Sequence, residues 1–572
     1  MRYAVNENAP HLLSLGHACQ HILFVTSGTV FLPILLYNQQ LITAAEANFI
    51  TFSSLMLCGI SVVIQAYKIG TIGSGYLLFM GTSGAFFACT MDAIQIGGLG
   101  LVALMACFSA PCEFLVGYFI RHLRKVFTSS IGGTVIMLIA VSIVPITLNM
   151  WMGDRDTANP QQDFTNLYIG LATFLPMLAL SFGSLKTRTW GSIIGIATGY
   201  LFAGIIGANP MTATLQAPWI GFDIQWPGIN WNFEADWWPI LIVYIFATLA
   251  GSIETFGDAI TCEKLSVRNY KKPNYKSVQG ALYADGTGNF LAGLMGTIPN
   301  TTFSGNIALI GMSKVASRRI ALYACLLFMI CALSPKIRTF ILGIPPASLG
   351  AATFFLMCIL FYEGLKLVIS DVQNFKTTVV VSLSFWTGVA AENDLLFPHL
   401  FSDRINLILS NGITTGGMCA LILTLISLIR FKRPLKLRVA KQPQSLDLVF
   451  DFVDAIKHQM KLSSQSHHDL RLCCEEVFQH LLQNEKRPDD ITIKLSREEE
   501  SVLVEFHCGS SVEDVDFENF HTALLKFDPE QNPELIGLIL LNKVAGNVRH
   551  LYISGHTYIS FEVLMQREAH QD

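Results

Sequence analysis

The chain has 572 residues, 52% hydrophobic and 14% charged, with a mean hydropathy of +0.47. Soluble domains carry about 25% charge, so this composition excludes an ordinary globular protein and reads as a membrane chain with a more polar tail beyond residue 440. A net charge of −4 argues against a nucleic-acid partner, and thirteen scattered cysteines without CxxC spacing argue against a disulfide framework or a zinc site.

In chain order, apolar runs near the length that spans a bilayer, about 20 residues, fall at 17–37, 47–66, 75–94, 97–118, 130–150, 167–184, 190–207, 238–258, 280–297, 301–313, 319–334, 340–362, 374–391 and 412–430. Fourteen transmembrane helices are therefore expected. The first run is long and has no small-residue cleavage site behind it, so it reads as a span and not a signal peptide. Basic residues set the orientation. Arg121, Arg124 and Lys125 follow the fourth run, Lys186 and Arg188 the sixth, and Lys264, Arg268, Lys271, Lys272 and Lys276 the eighth. Lys314, Arg318 and Arg319 follow the tenth, Lys366 and Lys376 the twelfth, and Lys432, Arg433, Lys436 and Arg438 the last. Every even-numbered exit is basic, which places both termini in the cytoplasm of an inner-membrane protein. Lys336, Arg338 and Arg404 run against the pattern, while the opposite loops at 153–163 and 233–238 are acidic and aromatic.

Runs three and ten are interrupted by small and polar residues, GSGYLLFMGTSGAFF (73–87) and GTIPNTTFSGNIALIG (296–311). Broken segments at corresponding positions of two halves point to a transporter's binding site. A spacing of seven spans inserts the halves with opposite orientation. Unwound backbone survives at membrane depth only where it lines a cavity or is buried in protein, and helix starts there hold polar solutes. The plainer alternative is that these glycines and serines serve close helix packing.

Glu254 and Asp258 lie one helical turn apart in the eighth run and share a face. An intramembrane carboxylate is costly and points to function. Two that close repel when both are ionised, so one holds a proton readily, a plausible coupling device. The plainer alternative for Asp258 is a residue at the cytoplasmic end of its helix. Gln20 and His21 lie inside the first run, where a histidine commonly bridges helices. Glu113 and Asp285 lack a local partner motif and read as structural. Residues 1–432 contain no nucleotide loop, nucleophile triad or metal cluster, so the chain does not read as an enzyme, and no metal or cofactor is expected.

QHILFVTSGTVFLPILL (20–36), MGTSGAFF (80–87), SIETFGD (252–258) and ADGTGNFLAGLMGTIPNTTFSGNIALIGMSKVASR (284–318) together resemble the nucleobase–ascorbate transporter family, the xanthine/uracil permeases, over about residues 12–430. The resemblance implies an all-α membrane fold of fourteen helices in a seven-plus-seven inverted repeat with core and gate domains, usually a homodimer. It implies coupled uptake of a nucleobase-like solute. Glu254 matches the carboxylate that binds the base, and Asp258 the polar residue one turn later. Ser83 and Gly84 match the third-helix backbone site. Phe303, Ser304 and Asn306 surround the tenth-helix site, and His21 belongs to the opening Gln-His. Gly305 stands where the family carries Gln or Glu, Gly84 where it carries Phe, and Ala308 where the motif has Gly. These departures predict an emptier pocket that has lost a side-chain acceptor and an aromatic ring. The expected activity is proton-coupled uptake, with sodium as the alternative ion, of a purine, pyrimidine or urate-like heterocycle by alternating access. An anion carrier on the same architecture, or a sensor signalling through its tail, are the other readings.

The chain thus divides into a transporter domain at 1–430, a basic linker at 431–445 and a cytoplasmic domain at 446–572. The tail is helical in pattern over 446–484, alternates like a hairpin over 491–509, and reads as a helix and two strands over 533–563. This order resembles the two-layer α/β histidine-kinase-like ATPase fold of anti-sigma factors. Glu476 matches that fold's catalytic Glu, but His480 stands in place of its metal-binding Asn. His507 and Gly509 fall where the adenine-reading Asp-x-Gly belongs, with His507 replacing the Asp. No nucleotide binding is expected from so eroded a site. A regulatory domain with a cytoplasmic protein partner is expected instead.

Overall fold

The structure, a computed structural model, describes residues 2–123, 128–153, 160–188, 190–208, 216–221, 225–231, 237–268, 270, 273–370, 375–397, 400–428, 435–460, 462–482, 490–497, 501–508, 535–553 and 556–564. Of the topology signals, Arg124, Lys125, Lys271, Lys272, Lys432, Arg433 and most of the two acidic loops lie outside these residues. The chain forms two compact units, Met1–Ser427 and Leu428–Asp572.

The first unit is helical. Its early elements are α1 (His11–Thr29), α2 (Phe31–Asn38), α3 (Ala44–Tyr67), a short strand β1 (Met80–Thr82) and α4 (Phe87–Leu123). Then come α5 (Ser129–Met152), α6 (Pro160–Ser181), α7 (Gly191–Ile205), α8 (Trp237–Ser266), α9 (Tyr275–Leu294), strand β2 (Asn300–Thr302) and α10 (Ser304–Ser313). The unit closes with α11 (Arg319–Leu333), α12 (Pro335–Leu342), α13 (Pro346–Ser370), α14 (Phe375–Glu392), α15 (Asp403–Leu409) and α16 (Gly412–Leu428). Among the described residues, seven helices are long and apolar enough to cross a membrane, or up to nine if each sharply bent pair is one span.

Four boundaries differ from the sequence reading. The third run is not a helix from residue 75; it holds β1, a 3-10 turn at Gly84–Phe86, and the start of α4. α4 then continues into the fourth run across a kink at Gly97–Gly98, where Gly98 has φ +68° and so favours glycine. The tenth run splits likewise into β2 and α10. The twelfth opens at Pro346 after α12, because Gly343 and two consecutive prolines end the earlier helix. α8 runs two turns beyond Asp258, so Asp258 is an interior residue and not a helix end.

Helix starts are capped by the residues next to them. Thr43 accepts from the Glu46 amide at 3.3 Å while the Glu46 carboxylate accepts from the Thr43 amide at 2.7 Å, a reciprocal cap for α3. Small residues let helix backbones touch: a Cβ on Gly133 of α5 would stand 2.4 Å from the Gly364 carbonyl oxygen of α13. α5, α6 and α7 pack with α13, whereas α4 packs with α8 and α9, and α3 with α9 and α11.

The amino-terminal segment is tied down by backbone and charge. The Arg2 amide donates to the Lys314 carbonyl at 2.7 Å, and the Ala316 amide to the Tyr3 carbonyl at 2.9 Å. Arg268 makes a forked contact with Glu7, its Nη2 donating at 2.9 Å to both carboxylate oxygens.

The second unit is a five-stranded antiparallel sheet with strand order β3-β4-β5-β7-β6. Its strands are β3 (Leu435–Val439), β4 (Ile491–Arg497), β5 (Ser501–Cys508), β6 (Gly546–Ile553) and β7 (His556–Leu564). Helices α17 (Leu446–Met460), α18 (Ser464–Leu482) and α19 (Leu535–Val544) supply the facing layer. Alternate strand residues such as Ile491, Ile493, Leu495, Val504 and Phe506 are buried against Val453, Val477 and Phe478.

The hydrogen bonds from Arg268 hold the Glu7 carboxyl below the usual glutamate range. A depressed carboxylate stabilises above its unfolded pKa, and that stability is lost as pH falls through the folded value. Protection of the amides at residues 2–7 against exchange should therefore be high at neutral pH and fall below the ordinary carboxylate range; Glu7→Gln should lower it already at pH 7. Equal protection in wild type and variant across that range would show the clamp to be inert.

Candidate functional site

Interrupted runs three and ten meet at the middle of the first unit. β1 and β2 pair antiparallel, with Met80 opposite Thr302, Gly81 opposite Thr301 and Thr82 opposite Asn300. The Phe303 amide donates to the Phe79 carbonyl at 2.9 Å and the Ser83 amide to the Pro299 carbonyl at 3.2 Å, closing the ladder at both ends. Each strand leads directly into a helix start. Ser83 caps the turn at 84–86, its Oγ accepting from the Ala85 amide at 3.3 Å. Phe303 precedes α10 with no side-chain cap, so the first-turn amides of Ser304 and Gly305 keep no side-chain acceptor.

α8 lies along this crossing. Asp258 accepts from Thr302 Oγ1 and Ser304 Oγ, both at 2.8 Å. Glu254, one turn earlier on the same face, is partly exposed, and among the described residues it accepts no hydrogen bond.

Behind this front stands a buried polar network that the sequence reading missed. Thr255 Oγ1 donates to Asp285 Oδ2 at 2.5 Å, and Thr301 Oγ1 lies 3.3 Å from the same oxygen. Asn289 of α9 joins two pieces: its amide donates to Glu113 Oε2 at 3.1 Å, and its Oδ1 accepts from the Asn300 backbone amide at 2.7 Å. Asn300 in turn donates to Ser61 at 3.2 Å. Asp285 and Glu113, which lacked a local motif, therefore find partners across helices. The available signal was the spacing of Asp285 and Asn289, one turn apart on α9.

The remaining expected residues divide. His21 is buried, stacks on Phe79 with ring centroids 4.6 Å apart, and among the described residues has no partner at Nδ1. Its backbone carbonyl accepts from the Asn306 side-chain amide at 3.4 Å, while Asn306 Oδ1 finds no partner among the described residues. Gly84 packs on α5, where an added Cβ would lie 3.2 Å from Ile139. Gly305 corrects the expectation of an emptier pocket. A Cβ there would stand 2.2 Å from Phe24 Cε1, so the ring of Phe24 already fills that space. Phe303 is seated in the same way, its ring 2.7 Å from a Cβ placed on Gly28 and 2.8 Å from one on Gly81.

In the second unit, Glu476 and His480 lie one turn apart on α18, and a Cβ on Gly537 of α19 would meet Glu476 Oε2 at 2.0 Å. Burial and then the neighbouring Glu475 push the Glu476 carboxyl up. His507 on β5 contacts Lys494 at 3.2 Å and packs edge-on against Tyr558. Gly509 lies outside the described residues.

With this geometry in place, comparison with known proteins is informative. The xanthine/uracil permease model, described as a permease family, matches residues 14–394. Xanthine permease XanP of Escherichia coli is 28% identical over 448 residues, covering 74% of this chain and 94% of its own length. Uric acid permease PucJ of Bacillus subtilis is 27% identical over 436 residues, covering 74% and 94%. A putative purine permease of Clostridium perfringens is also 27% identical, covering 74% and 92%. Among solved structures, the murine anion transporter Slc26a9 in its inward-facing state aligns with a TM-score of 0.51 at 13% identity, covering 77% of this chain and 71% of its own, a likeness of fold.

Thr255→Val should lower stability in detergent by about 1–3 kcal/mol, because it strips the Asp285 carboxyl of its shortest hydrogen bond in a buried setting. Thr255→Ser keeps the hydroxyl and should recover most of the loss. Thermal unfolding of the two variants checks this; a valine variant as stable as wild type would mean that Thr255 is not part of the support.

Proposed function

The chain belongs to the xanthine/uracil permease family, and from that premise we propose that it is a secondary transporter of a nucleobase or closely related heterocycle. Being a member of a permease family, it is a multi-pass membrane transporter and not an enzyme. The relatives named above, a xanthine, a uric acid and a purine permease, support the substrate class. The observation that carries the reading is the unpartnered carboxylate of Glu254 beside the uncapped start of α10. An acidic heterocycle N–H donates to that carboxylate, and ring carbonyl oxygens accept from the amides of Gly84, Ser304 and Gly305. An anion would meet the Glu254 charge unfavourably, which argues against the anion-carrier alternative.

The finer parts of the proposal rest on the same site. Two like-built segments, each a short strand leading into a helix start and seven apolar runs apart in the sequence, support fourteen helices in an inverted repeat. The core would comprise β1, β2 and the helices packed on them, moving against a gate built from α5–α7 and α13–α16. The carboxylates of Glu254 and Asp258, one turn apart, support a proton as the coupling ion. His21 and Asn306 support the site from α1 and α10. Basic even-numbered exits support cytoplasmic termini and an inner membrane. A homodimer is part of the same reading. The tail, with His480 and His507 at its ATPase-like positions, is proposed as a regulatory domain that binds a cytoplasmic protein and not a nucleotide.

Thermal stabilisation of the purified full chain by a panel of purines, pyrimidines, ureides and small anions tests this. At least one heterocycle should raise the melting temperature, and Glu254→Gln should abolish the effect while leaving unliganded stability close to wild type. Stabilisation by anions, indifferent to the substitution, would overturn the reading. For coupling, uptake into vesicles should rise with an inward-directed proton gradient, and Asp258→Asn should remove that dependence; a response to sodium alone would reject the proton.

A further inference from the structure

Two aromatic rings and three glycines interlock where α1 meets the crossing. The Phe24 ring of α1 lies where any side chain at Gly305 of α10 would stand, 2.2 and 2.3 Å from its Cβ position. Reciprocally, the Phe303 ring at the head of α10 occupies the space above Gly28 of α1 and Gly81 of β1. Phe24, Phe303, Ser304, Gly305 and Glu254 are all only partly buried, whereas Asn306 and His21 are buried.

We infer that Phe24 is a specificity-determining residue, which turns the wall beside α10 from a hydrogen-bonding surface into an aromatic one. The inference rests on the transport reading above and sharpens it to a class of substrate. A heterocycle in this site satisfies one polar edge with Glu254 and the free backbone amides. The edge that faces Phe24 meets carbon only. A ring N–H or C=O pressed there loses its hydrogen bond to water and finds no partner, whereas a C–H edge is well placed against an aromatic face. The preferred ligand is therefore a purine-like base with a C–H edge rather than one that is polar on every side. Gly305 is the condition for this arrangement, since any side chain there competes with the ring for the same volume.

The test is a double-mutant cycle on the full chain, purified in detergent, with hypoxanthine and xanthine as ligands. The two differ along one edge: hypoxanthine carries a C2–H and a bare N3, xanthine a C2 oxygen and an N3–H. Wild type should bind hypoxanthine about 10-fold more tightly than xanthine, the worth of one unmade hydrogen bond. Gly305→Gln alone should weaken both ligands and lower the unliganded melting temperature, because amide and ring collide. F24A/G305Q should recover folding stability and shift the preference towards xanthine by about 10-fold, a change that neither single variant gives. If that pair does not fold, F24L/G305S carries the same comparison. Additive effects, or a G305Q protein that binds like wild type, would overturn the inference while leaving the transporter reading intact. Silence of wild type towards every base would overturn both.

Discussion

Everything in the first unit is arranged around backbone that is not helical at membrane depth. A peptide group without a partner in hydrocarbon costs several kcal/mol, so residues 80–82 and 300–302 must find one another or be helical. They pair in a short antiparallel ladder, extended at each end by the Phe303–Phe79 and Ser83–Pro299 hydrogen bonds. That ladder fixes two helix starts side by side. It sets the direction in which α4 and α10 leave, and it defines the line along which α8 must pack to present Glu254 and Asp258.

The same low-dielectric setting explains the density of hydroxyl and amide side chains behind the crossing. Carboxyl groups buried among helices are costly unless donors stand about them. Asp258 has Thr302 and Ser304, Asp285 has Thr255 and Thr301, and Glu113 has Asn289. Most of these donors sit on β2, its flanks or α9, so the strand pairing and the acid network support each other. Glu254 differs in having no such donor among the described residues and in being only partly buried.

Legibility followed the range of the interactions. Hydropathy located the long apolar helices because each run of apolar residues acts locally. Interruptions at 73–87 and 296–311 located the crossing because glycine, serine, threonine and proline cluster there and weaken the local preference for helix. The turn-spaced pair Glu254 and Asp258 was readable for the same reason. What escaped depended on partners far along the chain. Thr255, Asn289 and Asn300 have ordinary neighbours in sequence, and only the fold brings them to Asp285, Glu113 and Ser61. Gly305 was visible as a missing side chain, but nothing local says that a ring from residue 24 takes its volume. The end of α8 escaped too, because Glu263 and Lys264 look like a helix exit while the helix in fact continues to Ser266.

The ring-on-glycine seats also couple substitutions. A large residue at 24 and a side chain at 305 compete for one volume, and Phe303 likewise fills the space above Gly28 and Gly81. A side chain gained at 305 therefore has room only where residue 24 shrinks with it.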